Sequence, residues 1–190
     1  VSGGKDSHLA LYYAKVVYGL NPLCVAFTPT LPTEIGKENL ENISRLGVDV
    51  IHFKQNPIVY KKMIMEGFKR VGDMEWANHM GIWSIPVHFA INFNIPLIFW
   101  GENSAIQTGD SHAAGDNIFD ANNLRKMNTL SGGLNWIIDE VGYEKSLPYK
   151  YPTEEDFENQ KITILYLGPA WDDWGFDENS IYAALSGLTL

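Results

Sequence analysis

The sequence predicts an α/β fold with a parallel sheet covered on both faces, and three observations carry that prediction. Continuous apolar runs at residues 22–27 and 95–100 have the composition of strands buried on two sides, and residues 48–53 and 162–167 also read as strands. Helical periodicity between them suits right-handed crossovers from one parallel strand to the next. The first helix follows directly on a glycine-rich run, Ser2-Gly3-Gly4-Lys5-Asp6-Ser7, where such folds bind anions.

In chain order, residues 6–18 read as a helix with Leu9, Tyr12, Tyr13, Val16 and Val17 apolar, and Gly19 is placed to end it. A strand at 22–27 leads into a loop at 28–36, rich in Thr and Pro. The next helix carries Leu40, Ile43 and Leu46 on one face and stops at Gly47. A strand at 48–53 and an amphipathic helix at 57–71 follow. Residues 76–93 look helical but contain Pro86, which predicts two helices or a kink. The strand at 95–100 ends in Gly101-Glu102-Asn103. From 104 to 129 small and polar residues dominate, the pattern of a long loop or lid. A short helix at 133–143, a polar connector at 149–160, a strand at 162–167 and a helix at 178–185 complete the chain. We read residues 1–190 as one domain, with 104–161 an irregular lid or insert. The sequence opens on Val1 with no room for the strand that feeds such a loop, so a piece of a longer protein is expected.

Composition narrows the function classes. Of 190 residues, 14 are basic and 23 acidic, a formal charge of −9. That balance opposes a generic nucleic-acid binder, which needs clustered Lys and Arg. The lone Cys24 excludes a disulfide framework or multi-thiolate zinc site within the chain, so a reducing, cytoplasmic compartment is expected. No apolar run approaches the ~18–20 residues of a membrane span. The five histidines show no metal-binding spacing.

The run Ser2–Ser7 carries the chemistry. Its glycines let successive backbone N–H groups converge on an anion, to which the helix N-terminus adds partial positive charge. Ser2 and Ser7 bring hydroxyl donors, Lys5 a cation, and Asp6 a carboxylate that can cap the helix or reach a metal. The spacing is not that of a Walker A loop. It resembles the S-G-G-x-D-S pyrophosphate loop of the PP-loop ATP pyrophosphatase superfamily, whose members adenylate a carbonyl oxygen and release pyrophosphate. Four further stretches, Asn21-Pro22-Leu23, Gly36-Lys37-Glu38-Asn39-Leu40-Glu41-Asn42-Ile43, residues 95–103, and Tyr166-Leu167-Gly168 with Trp171-Asp172, resemble one branch. That branch is the N-acetyl sugar amidotransferase family of bacterial lipopolysaccharide O-antigen and nonulosonic-acid biosynthesis. Family members carry paired cysteines ahead of the loop, a segment this sequence does not include.

The resemblance implies a three-layer α/β/α fold of the adenine nucleotide alpha hydrolase-like (HUP) kind. Its strand order is 3-2-1-4-5, with the first strand truncated here. It implies ATP and Mg²⁺, a nucleotide-activated N-acetyl sugar as substrate, and a separate glutaminase supplying ammonia. Lys5, Asp6 and Glu102 take the catalytic roles, with Asp6 and Glu102 as metal ligands. Ser2, Gly3, Gly4, Lys5, Asp6, Ser7, Ala26, Phe27, Thr28, Gly101 and Asn103 contact the nucleotide.

Blander readings stand beside these. Phe27 either covers adenine or packs in the core. Lys37 and Asn39 either contact substrate or, as we slightly favour, are solvated helix positions. Residues 171–174 form either a sugar platform or a hydrophobic anchor. Asp110, His112, Asp116 and Asp120 belong to a lid or a solvated loop. His79 and His88 are expected to be structural and Cys24 an inert core thiol. The rival functions are a PP-loop tRNA-modifying enzyme, opposed by the acidic charge, and a non-catalytic ATP-binding module.

Overall fold

A computed structural model describes residues 1–28, 31–101, 118–124, 135–167 and 174–189. The chain is mixed α/β and divides into two compact units. One comprises Val1–Lys54, Phe99–Asn103 and Leu165–Leu190, the other Gln55–Ile98 and Ser104–Ile164.

In the first unit, α1 (Lys5–Tyr12) runs on through a π-helical turn, Tyr13–Val17. Strand β1 (Leu23–Thr28) pairs in parallel with β2 (Asp49–Lys54), Leu23 opposite Asp49 and Thr28 opposite Lys54. Between them α2 (Glu34–Asn42) starts at Thr33, whose hydroxyl accepts from the Gly36 N–H at 3.0 Å. This crossover ends at Gly47, whose φ of 73° is the left-handed stop its sequence position predicts. Leu11, Cys24, Ala26, Leu40, Ile43 and Val48 form the core between these elements. Cys24 is buried there, which pushes its thiol pKa up, as expected of an inert core thiol. The last helix of the unit, α8 (Phe176–Leu185), packs on α1, with the Tyr12 and Tyr182 rings 5.8 Å apart.

In the second unit, α3 (Pro57–Val71) is capped by Asn56, whose side chain accepts from Ile58 N and Val59 N, with Pro57 in the first turn and Gly72 as its stop. Helix α4 (Trp76–Asn92) runs through Pro86 as one element rather than two. Burial explains why: Trp76, Met80, Trp83, Ile85 and Val87 are all inside, and their packing outweighs the ~3 kcal/mol cost of an interior proline. His88 is structural, its Nε2 2.7 Å from the Lys150 carbonyl oxygen.

Strands β3 (Leu97–Trp100), β4 (Ile118–Asp120) and β5 (Thr163–Tyr166) form a second sheet in the order β3-β5-β4. Two features differ from expectation. Strand β4 and helix α5 (Ala121–Leu124) occupy a stretch read as loop; Tyr151 Oη donates to the Ala121 carbonyl, and Ala121 N to the Ile162 carbonyl. These contacts join residues 30 or more apart, which local periodicity does not encode. Helices α6 (Asn135–Val141) and α7 (Tyr143–Ser146) follow. Among the described residues the strands also make two sheets rather than a single five-stranded one. The Val1 nitrogen donates to Val25 O at 2.7 Å. No helix among the described residues is long and apolar enough to cross a membrane.

Candidate functional site

The loop Ser2–Ser7 folds on itself. Gly3 adopts φ +81°, a left-handed conformation that L side chains rarely adopt. Gly4 caps α1 from an extended conformation, and no side chain among the described residues bonds to the cap. The first-turn amides of α1 are thus left for another acceptor. Ser2 Oγ accepts from Gly4 N at 3.3 Å, and Ser7 Oγ accepts from Ser2 N at 3.3 Å while donating to Gly4 O at 2.9 Å. The serines therefore brace the loop's shape as well as offering hydroxyls.

Lys5 Nζ pairs with Asp6 Oδ1 at 2.7 Å, both side chains about a quarter exposed (23% and 22%). The same ammonium sits 5.1 Å from the centroid of the Phe176 ring. Gly101, at the end of β3, lies against the loop: a Cβ built on it would stand 3.2 Å from the Asp6 carbonyl oxygen. A cleft of about 510 Å³ opens here, lined by Gly3, Gly4 and Lys5 on one side and by Asn39, Phe176 and Thr189 among others. Its size is that of a small-molecule site, ~300–1,000 Å³.

The remaining expected contacts divide. Ala26, Phe27 and Thr28 end β1, but the cleft described above is not lined by them. Phe27 stacks on its cross-strand partner Phe53, ring centroids 6.0 Å apart and 7° from parallel, which accounts for it as packing. Thr28 Oγ1 is buried and has no hydrogen-bond partner among the described residues. Glu102, Asn103, Asp110, His112, Asp116, Gly168, Trp171, Asp172 and Asp173 lie outside the described residues. Among the described residues no group of three or more His, Cys, Asp or Glu side chains is arranged to hold a metal ion.

Asn39 corrects the solvated reading. It is 6% exposed, and it bonds to the Thr189 backbone in both directions. Lys37 is exposed and pairs with Glu34 at 2.6 Å. Sequence reasoning missed Asn179, Phe176 and Thr189. Asn179 is 1% exposed and donates from Nδ2 to Asp6 Oδ1 at 2.6 Å. The available signal was a polar residue one turn before Ala183 on the face that α8 buries.

These features define an α/β protein with a glycine loop at an uncapped helix N-terminus, opening on a cleft. Compared with known proteins, the chain matches no protein-family model and no curated protein sequence.

Proposed function

We propose that this protein is an ATP-dependent, AMP- and pyrophosphate-forming enzyme of the PP-loop kind. The observation that carries the reading is the loop Ser2–Ser7: a left-handed Gly3 and a Gly4 that starts α1 without a side-chain cap line a cleft together with Lys5. A pyrophosphate group needs N–H donors and a nearby cation, and the first-turn amides of α1 and the Lys5 ammonium are the groups that would answer that need. The Thr28 hydroxyl at the end of β1, buried and without a hydrogen-bond partner among the described residues, leaves room for a further polar contact, and the reading puts adenine or ribose at that strand end.

The substrate assignment rests on the sequence resemblance. In this reading the N-acetyl carbonyl oxygen of a nucleotide-activated sugar attacks the α-phosphorus of ATP, and pyrophosphate leaves. Ammonia from a separate glutaminase then adds to the activated carbon, and AMP departs to give the acetamidino group. Gly3, Gly4 and the first-turn amides of α1 hold the leaving phosphates, while Lys5 neutralises the charge that develops on them. Positioning and electrostatics carry such chemistry without a dedicated general base. Bound Mg²⁺ would supply charge neutralisation between phosphate oxygens, with Asp6 and Glu102 offering carboxylates of the kind it takes. A reducing, cytoplasmic setting and a PP-loop α/β/α sheet belong to the same reading.

Product analysis tests it. Incubation with ATP, ammonia and UDP-linked N-acetyl sugars should release AMP and pyrophosphate in step with amidine formation. ADP and orthophosphate as the main products would overturn the reading.

A further inference from the structure

The cleft beside the glycine loop has two unlike walls. Gly3, Gly4 and Lys5 form the wall assigned above to phosphates, and Phe176, Ser180 and Leu188 belong to the other. Lys5 alone among the lining residues is charged. Asn39, opposite it, spends both ends of its amide on the Thr189 backbone. Ser180 Oγ donates to the Phe176 carbonyl at 2.7 Å, which leaves it lone pairs for a ligand hydroxyl. What this wall chiefly offers is therefore an aromatic ring. Phe176 is 73% exposed, in the first turn of α8 beside the acidic Asp177 and Glu178. Its ring centroid lies 5.1 Å from Lys5 Nζ, so a group stacked on the ring sits next to the phosphates that Lys5 serves.

We infer that Phe176 is the platform for the acceptor's pyranose: the apolar face of the sugar lies on the ring, and the acetamido carbonyl oxygen faces the α-phosphorus over the loop. This rests on the function proposed above, with Ser2–Ser7 as the phosphate loop. Two rings enter that reaction. Adenine is separated from the α-phosphorus by the whole ribose, and the reading puts it at the end of β1, where Ala26, Phe27 and Thr28 do not line the cleft. The acetamido group is carried directly on the pyranose, so that ring has to come within a few bonds of the reacting phosphorus. The ring surface beside Lys5 suits the pyranose. Sugar C–H groups carry partial positive charge, and the negative face of an aromatic ring attracts them as it attracts the Lys5 ammonium.

The test uses Phe176→Leu, which keeps the bulk but removes the ring, and Phe176→Trp, which keeps an aromatic face, beside the wild type. Each is titrated calorimetrically in MgCl₂ with α,β-methylene-ATP, a nucleotide resistant to cleavage at the bond in question. With that nucleotide saturating, UDP-N-acetylglucosamine and, separately, UDP (which lacks the pyranose) are titrated. Thermal unfolding run in parallel checks folding, which a residue this exposed leaves intact. The platform predicts that Phe176→Leu loses about 5–10-fold in affinity for the sugar nucleotide while UDP and the ATP analogue stay within about twofold of wild type. Phe176→Trp should bind all three like wild type. Unchanged sugar-nucleotide affinity in Phe176→Leu overturns the platform. So does an equal loss for UDP, which puts the uracil on the ring, or a loss for the ATP analogue, which makes Phe176 a partner of adenine or of Lys5. A wild type that takes the ATP analogue but binds the sugar nucleotide no better than UDP overturns the platform and leaves the phosphate loop standing. One that fails to bind the ATP analogue removes the phosphate-loop reading itself.

Discussion

Asn39 and Thr189 bond to each other twice across 150 residues of sequence, Asn39 Nδ2 donating to Thr189 O and Thr189 N donating to Asn39 Oδ1, each at 2.8 Å. The side-chain amide thereby imitates a strand neighbour for one backbone unit. Asn42 adds a third bond, from Nδ2 to Gly187 O at 2.7 Å. Two asparagines of α2 thus hold the segment that walls the cleft through Leu188 and Thr189.

Removing that clamp should cost stability. Asn39→Ala strips partners from a backbone N–H and C=O together, and each such net hydrogen bond is worth ~0.5–1.5 kcal/mol. The urea midpoint should fall accordingly, while Lys37→Ala, on an exposed pair, stays within ~0.5 kcal/mol. Equal midpoints for Asn39→Ala and wild type would refute the clamp.

Gly3 and Gly4 should respond differently to a methyl group. Gly3 has φ +81°, and its added Cβ would meet the Leu40 backbone nitrogen at 3.3 Å, so Gly3→Ala should destabilise the fold by ~1–2 kcal/mol. Gly4 has φ −88°, and its Cβ would meet only Ser2 Oγ at 3.4 Å. Gly4→Ala should fold with a loss below ~1 kcal/mol but bind ATP more weakly. Unchanged ATP affinity in folded Gly4→Ala would remove the phosphate role of this loop.

His8 should make stability sensitive to mild acid. It is 1% exposed, and burial lowers its pKa from the ordinary 6.5. The unfolded chain then binds the proton more tightly than the folded one. Stability is therefore complete above about pH 6.5 and declines as pH falls below it, by up to ~1.4 kcal/mol per unit until the folded value is reached. Urea unfolding of wild type and His8→Leu at pH 7.5 and 5.5 checks this. Parallel losses in the two proteins would exclude His8 as the cause.

Glu102 follows Gly101, the residue that abuts the Asp6 backbone. If its carboxylate meets the triphosphate through Mg²⁺, Glu102→Gln should slow AMP formation by ~10²-fold and blunt its dependence on Mg²⁺. A variant with wild-type magnesium dependence would take Glu102 out of the metal site.

Much of the local structure was legible because its signals are local. Asn56-Pro57 at one end of α3 and Gly72 at the other bound the helix where the sequence places it. The apolar run of β1 and the strand-like residues 48–53 marked the two strands, and the helix between them dictated their parallel pairing. The place of the glycine loop was equally plain, since Ser2–Ser7 needs only its neighbours to form its internal bonds.

Other features depend on partners far along the chain. Helix α8 buries Asn179 and Ala183 while leaving Phe176 and Leu185 73% and 81% exposed, the reverse of what hydrophobic patterning selects. Asn39 reads as a surface position for the same reason: its partner is Thr189, which no periodicity in α2 announces. The sequence by itself determined the order of strands and helices and the site of the loop, through caps, apolar runs and glycines acting over a few residues. Tertiary structure alone decided that α4 survives Pro86, that the strands form two sheets among the described residues, and that buried amides hold Asp6 and Thr189. Those outcomes depend on burial and on hydrogen bonds between distant segments, whose energies exist only once the chain has folded.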